Sequence, residues 1–140
     1  MFESFFKEKL APLALRLGLG SVCVYHGYLK IMASGGTAWW PALPTGWQLL
    51  IAWGEFVAGL AILAGFRCRW AALAMLTLTV GLLGWTHGGN VVHLPLTTLE
   101  PTLFLLFVGL ALLFLGAGDL SLDARSGGAG GFGKILKTKK

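Results

Sequence analysis

Residues 51–83 read IAWGEFVAGLAILAGFRCRWAALAMLTLTVGLL. Two apolar runs flank the four residues Phe66, Arg67, Cys68 and Arg69, and this short break decides the architecture. Each run approaches the roughly 20 residues a helix needs to cross about 30 Å of hydrocarbon at ~1.5 Å per residue. Neither alternates in the in/out manner of a membrane β-strand. A connection this short forces the two helices to be antiparallel neighbours.

Outward from this pair the same pattern recurs on both sides. Apolar segments over residues 10–32, 46–65, 70–87 and 100–118 predict four helices within 140 residues. The chain is 56% hydrophobic and only 12% charged, with a mean hydropathy of +0.75, too apolar to clothe a soluble domain in polar side chains. The expected fold is all-α: a transmembrane four-helix bundle running up-down-up-down.

The basic residues orient it. Lys7 and Lys9 precede the first helix, Arg67 and Arg69 fill the short turn, and Arg125, Lys134, Lys137, Lys139 and Lys140 follow the fourth. The segments 33–45 and 88–99 contain neither lysine nor arginine. By the positive-inside rule both termini are cytoplasmic and those two loops face outward. Arg16 interrupts the first apolar segment and no small-residue cleavage pattern follows, so this helix reads as retained rather than as a signal peptide. The expected localisation is the inner membrane of a bacterial cell, as a multi-pass protein.

Residues 1–125 read as one membrane domain, and residues 126–140, SGGAGGFGKILKTKK, as a glycine linker ending in a basic anchor. Such a segment suits anionic lipid on the cytoplasmic leaflet, and nothing in it reads nucleic acid. Cys23 and Cys68 fall at opposite depths, which argues against a disulfide. Trp39, Trp40 and Trp47 suit the outer interfacial belt, and Phe2, Phe5 and Phe6 the inner one. Glycines inside the helices read as close-packing positions.

The few ionisable side chains at membrane depth mark the candidate site. Intramembrane charge is expensive, so it faces the bundle interior and has a partner. Arg16, Cys23 and Lys30 share one stripe of the first helix, with Gly20 and Gly27 beside it and His26 on its flank. Glu55 lies near the middle of the second helix, one heptad after Gln48. Counting residues at the helical rise puts Arg16 ~9 Å from the cytoplasmic boundary and Glu55 ~15 Å from it. The same count puts His26 about 6 Å from the outer boundary and Lys30 close to it. Glu55 is therefore expected to pair with Arg16 first and His26 second, and Lys30 to snorkel outward. Such a pair serves either register or proton handling and ligand orientation; both readings stand.

A second titratable group gathers in WTHGGNVVHLPLTTLEP, residues 85–101, with His87, His93 and Glu100. Glu100 beside Pro101 also suits a helix start. The histidine spacing specifies neither haem nor metal, and no CxxCH or HExxH motif occurs, so no metal site is expected. A polar mouth that receives a small ligand or a quinone head group fits the composition, as does a merely hydrated one.

These residues carry a family resemblance. The arginine in LALRLGLG, the HGYLKI block, GEFVAGLAILAGFRCRWAAL, the His and Glu of VVHLPLTTLEP, and the closing GAGDLSLD resemble the DoxX family of small bacterial membrane proteins. That family includes relatives of the DoxD subunit of thiosulfate:quinone oxidoreductase. The resemblance spans roughly residues 12–123 and leaves the basic tail outside. It implies a four-helix membrane bundle associated with redox chemistry and quinone, in which Arg16, His26, Lys30, Glu55, His93 and Glu100 would carry any shared site.

Three functions follow as expectations. The first is a redox-associated subunit that binds a quinone or small ligand between the helices, with His26 and Glu55 handling protons and Arg16 and Lys30 supplying positive charge. The second is a non-catalytic accessory subunit packed against a larger respiratory or photosynthetic complex; across these readings the expected partners are the lipid bilayer and other membrane subunits or copies of the chain itself. The third, a transporter or channel, lacks the broken helices and inverted repeat that alternating access needs.

Overall fold

A computed structural model of the chain describes residues 6–87 and 96–125. A π-helical turn, Phe6–Leu10, leads into α1, Ala11–Met32, whose Pro12 sits in the first turn, where a missing amide hydrogen costs nothing. After a loop come α2, Thr45–Ala64; α3, Cys68–His87; and α4, Leu96–Leu115. A last turn of helix, α5, spans Leu122–Arg125. Every described long element is a helix, and each begins or ends within a few residues of the boundary its apolar run predicts. Two of them, Thr45–Ala64 and Cys68–Trp85, are long and apolar enough to cross a membrane, and a shorter apolar stretch covers Glu100–Leu115. His93 and the segment 126–140 lie outside the described residues.

Small residues set the closest approach. A methyl group at Gly27 would lie 2.6 Å from the Phe56 amide nitrogen, and one at Gly59 would lie 2.7 Å from that of Val24. A methyl at Gly20 would come within 2.7 Å of Leu63. As α1 advances from Gly20 to Gly27 its partners on α2 retreat from Leu63 to Phe56, so the two helices are antiparallel. The same reversal relates α3 and α4, where Leu76 meets Gly109 and Arg69 meets Gly116. The described core gathers Leu19, Cys23, Ile62, Cys68, Ala72, Met75 and Leu112 from all four helices.

The α1–α2 register is offset. Projected at the helical rise, it leaves the first residues of α1 extending beyond the α2–α3 turn by roughly two helical turns, about 11 Å. At the opposite end α1 stops short, and the first turns of α2 are met by the loop that joins the two helices. This displacement rearranges the polar side chains.

Candidate functional site

Arg16 is 3% exposed, and its guanidinium meets carbonyl oxygens rather than a carboxylate. Nε donates to Ile62 O at 3.0 Å and Nη2 to Leu63 O at 2.7 Å. Nη1 donates to Ala117 O at 3.1 Å and Leu120 O at 2.9 Å. The first two belong to the last turn of α2, where carbonyls lack helical partners and the helix dipole is negative. Gly65 ends α2 at φ +67°, with its amide on Ile62 O and the next amide on Ala61 O, a Schellman closure. No larger residue fits there, because a methyl at Gly65 would lie 2.7 Å from Arg16 Cζ.

The expected Arg16–Glu55 pair therefore does not form. The axial offset moves Arg16 to the end of α2 and carries Lys30 inward. Lys30 Nζ lies 2.6 Å from both oxygens of Glu55 and 4.7 Å from the centre of the Trp39 ring. Their side chains are only 16% and 10% exposed, so Lys30 is not a snorkelling residue. Gln48, buried one heptad before Glu55, ties the loop down: Nε2 donates to Leu43 O at 2.7 Å, and Oε1 accepts from the Trp40 amide at 3.2 Å. Trp39 Nε1 donates to Gln48 O at 3.2 Å. The loop is thus latched over the outer turns of α2 through Lys30, Trp39 and Gln48. Cys23 packs on Gly59, one turn along α2 from Glu55.

His26 takes a different side, because it lies on the flank of the buried stripe rather than within it. It is exposed and stands edge-on to Tyr25, with ring centroids 6.3 Å apart. Together with Glu100 it lines an open groove of about 510 Å³ between α1 and α4. The walls are Val22, Phe104, Leu105 and Pro101. The pairing of His26 with Glu55 is not what the fold brings together; His26 with Glu100 is. Pro101 lies inside α4 and has no amide hydrogen, so the carbonyl at position 97 loses its in-helix donor beside this groove. Toward the other end α1 and α4 come together, where Leu19 faces Gly109, and Arg16 reaches Ala117 just beyond α4.

A second groove, about 280 Å³, lies between α2 and α3 and is lined by Leu43, Trp47, Ile51, Leu78, Leu82 and Trp85, with Thr77 and Gly81. Its one hydroxyl already donates to Leu73 O at 2.9 Å, which leaves an apolar surface. Among the described residues, no three His, Cys, Asp or Glu side chains gather to hold a metal ion.

Asp123 was not anticipated. Its carboxylate accepts from the amides of Arg67 at 2.6 Å and Cys68 at 3.0 Å, capping α3 from 55 residues away, while its own amide donates to Gly65 O at 3.0 Å. Arg69 Nη2 in turn donates to Phe114 O at the end of α4, at 3.3 Å. The only signal was the conjunction of FRCR, which has no local capping residue before α3, with the polar block GAGDLSLD. Neither is conspicuous alone.

Among known proteins, the family model described as DoxX matches residues 11–88, more than half of the chain. Comparison with curated proteins and with solved structures returns no match.

Proposed function

The chain belongs to the DoxX family, and from that premise we propose that it is a multi-pass protein of the bacterial inner membrane that binds a quinone or similar small ligand for a membrane oxidoreductase system. All four long helices cross the bilayer in this reading, with both termini cytoplasmic. The basic residues support that orientation: apart from Arg16 and Lys30, which lie inside α1, every lysine and arginine lies near a terminus or at the α2–α3 turn.

The observation that carries the ligand reading is the groove shared by His26 and Glu100. Arg16, Lys30 and Glu55 are already engaged in bonds within the bundle, whereas this groove offers two titratable groups beside open space with apolar walls. A quinone ring sits between Val22, Phe104 and Leu105, a carbonyl oxygen accepts from the His26 imidazole, and Glu100 supplies or receives a proton at the mouth. Electrons come from the oxidoreductase partner. Titration of the purified protein with a short-chain quinone tests it. Saturable binding is expected, weakened at least about tenfold, the equivalent of one lost hydrogen bond to a charged group, in His26→Ala or Glu100→Gln. Absence of binding to the unaltered protein ends this reading.

A second reading has its own observation. Arg16, Lys30 and Glu55 all hold helices and loop together, as in a non-catalytic accessory subunit of a larger respiratory or photosynthetic complex. Purification under mild detergent separates the two: recovery as a lone protomer or a self-oligomer counts against the accessory role.

A further inference from the structure

The α2–α3 turn and the first residues of α3 carry Phe66, Arg67, Cys68, Arg69 and Trp70 in succession. Arg67 has φ +44°, and among the described residues it is the non-glycine residue in the left-handed region. That conformation disfavours any side chain with a Cβ; glycine or asparagine fills it at lower cost. Arg67 is held there from outside, by the Asp123 carboxylate on its amide. A disfavoured backbone secured from elsewhere points to a use for the side chain it presents.

The surroundings indicate what that use is. Arg67 is exposed and is flanked by Phe66 and Trp70, 51% and 69% exposed. Two residues beyond Asp123 lies Arg125, also exposed, and before it Leu122, 46% exposed. Cations thus alternate with large apolar side chains at one end of an apolar bundle. An indole or phenyl ring so placed is wasteful in water and favourable at the boundary between acyl chains and head groups. Guanidinium groups at that level meet phosphate, for which their planar donor fork is suited. Asp119 and Asp123 lie in the segment after α4 and keep their charge, with the Asp123 carboxylate turned onto two backbone amides; Arg67, Arg69 and Arg125 outnumber these two.

We propose that the Phe66–Trp70 turn, together with Arg125, is a binding surface for the phosphate head groups of anionic phospholipids. Phe66, Trp70 and Leu122 seat it in the acyl boundary, and Arg67 and Arg125 select the charge. The surface is distinct from the His26–Glu100 groove and does not depend on it.

Full-length protein reconstituted in nanodiscs of equal phosphatidylglycerol and phosphatidylethanolamine, then released into native mass spectrometry, reports which lipid is retained. The unaltered protein is expected to retain phosphatidylglycerol preferentially. Arg67→Asn, which keeps a residue tolerant of the left-handed backbone, and Arg125→Gln should each reduce that preference about fivefold, while Arg67→Lys keeps most of it. Arg125 lies outside the turn, so its variant remains informative if Arg67→Asn fails to fold. Equal retention of both lipids by the unaltered protein overturns the proposal and leaves an acidic protein partner as the alternative. So does a preference unchanged in both variants but abolished by K134Q/K137Q/K139Q/K140Q, which would assign it to the terminal lysines.

Discussion

Lys30 Nζ sits between both carboxylate oxygens of Glu55, 2.6 Å from each, with the Trp39 ring 4.7 Å away. The pair joins α1 to α2 near the place where their backbones touch most closely, at Gly27 and Phe56. A lysine near a helix end usually reaches for water. Here the loop between the helices closes over it, and the inward partner wins because Glu55 would otherwise be a buried carboxylate with no counter-charge.

Removing one member of this pair should therefore be worse than removing both. Glu55→Leu alone is expected to destabilise the bundle by about 3 kcal/mol, Lys30→Met alone by a similar amount, and the two together by clearly less, since neither charge is then left alone. Thermal unfolding in detergent, run as a double-mutant cycle, measures the coupling. A double variant that loses as much as the two single variants added together would show that the pair is not coupled.

Arg16 should tolerate no substitute. Its planar fork serves four carbonyls on two segments, and a lysine ammonium has three donors on a single atom. Both Arg16→Lys and Arg16→Ala are expected to cost at least roughly 3 kcal/mol. Size-exclusion profiles and melting curves of the two variants check this. Near-native stability of the lysine variant would mean that charge alone, without the fork, suffices at the end of α2.

Alanine substitutions at glycines should separate by environment. Gly27→Ala would force the α1 and α2 backbones apart, and Gly65→Ala adds a left-handed backbone to a clash with Arg16; losses above roughly 2 kcal/mol are expected at each. A methyl at Gly81 meets nothing within 4 Å, so Gly81→Ala should be neutral or stabilise by up to about 1 kcal/mol through helix propensity. Melting temperatures of the three variants give the ranking. A destabilised Gly81→Ala would reveal a neighbour for α3 outside the protomer.

Asp123→Ala should loosen the start of α3 locally rather than unfold the bundle. Loss of a capping carboxylate costs about 1 kcal/mol. Amide hydrogen exchange should quicken at residues 67 and 68, with Asp123→Asn intermediate because it retains one acceptor oxygen. Unchanged exchange in the alanine variant would show that α3 needs no cap from the chain's far end.

The helices were legible in the sequence because their cause is local. A run of apolar residues near 20 long has little choice but to be a helix, and the four observed helices begin and end close to the predicted limits. The stripe of Arg16, Gly20, Cys23 and Gly27 was legible for the same reason: helical periodicity puts these residues on one face, and that face is buried. His26 and Glu100 could be named as candidates, but nothing short of the packed helices joins them in one groove.

The sequence by itself determined which side chains are too polar for the bilayer and must find partners; which partners they find was decided by the tertiary structure alone. Counting residues inward from each end assumed that α1 and α2 lie level, and so matched Arg16 to Glu55. Close contact of Gly20, Gly27 and Gly59 slides α1 along α2 instead, because interlocking backbones fix an axial offset that no single helix encodes. That slide delivers Arg16 to the carbonyls at the end of α2, brings Lys30 to Glu55, and leaves His26 facing Glu100 across the open side of the bundle.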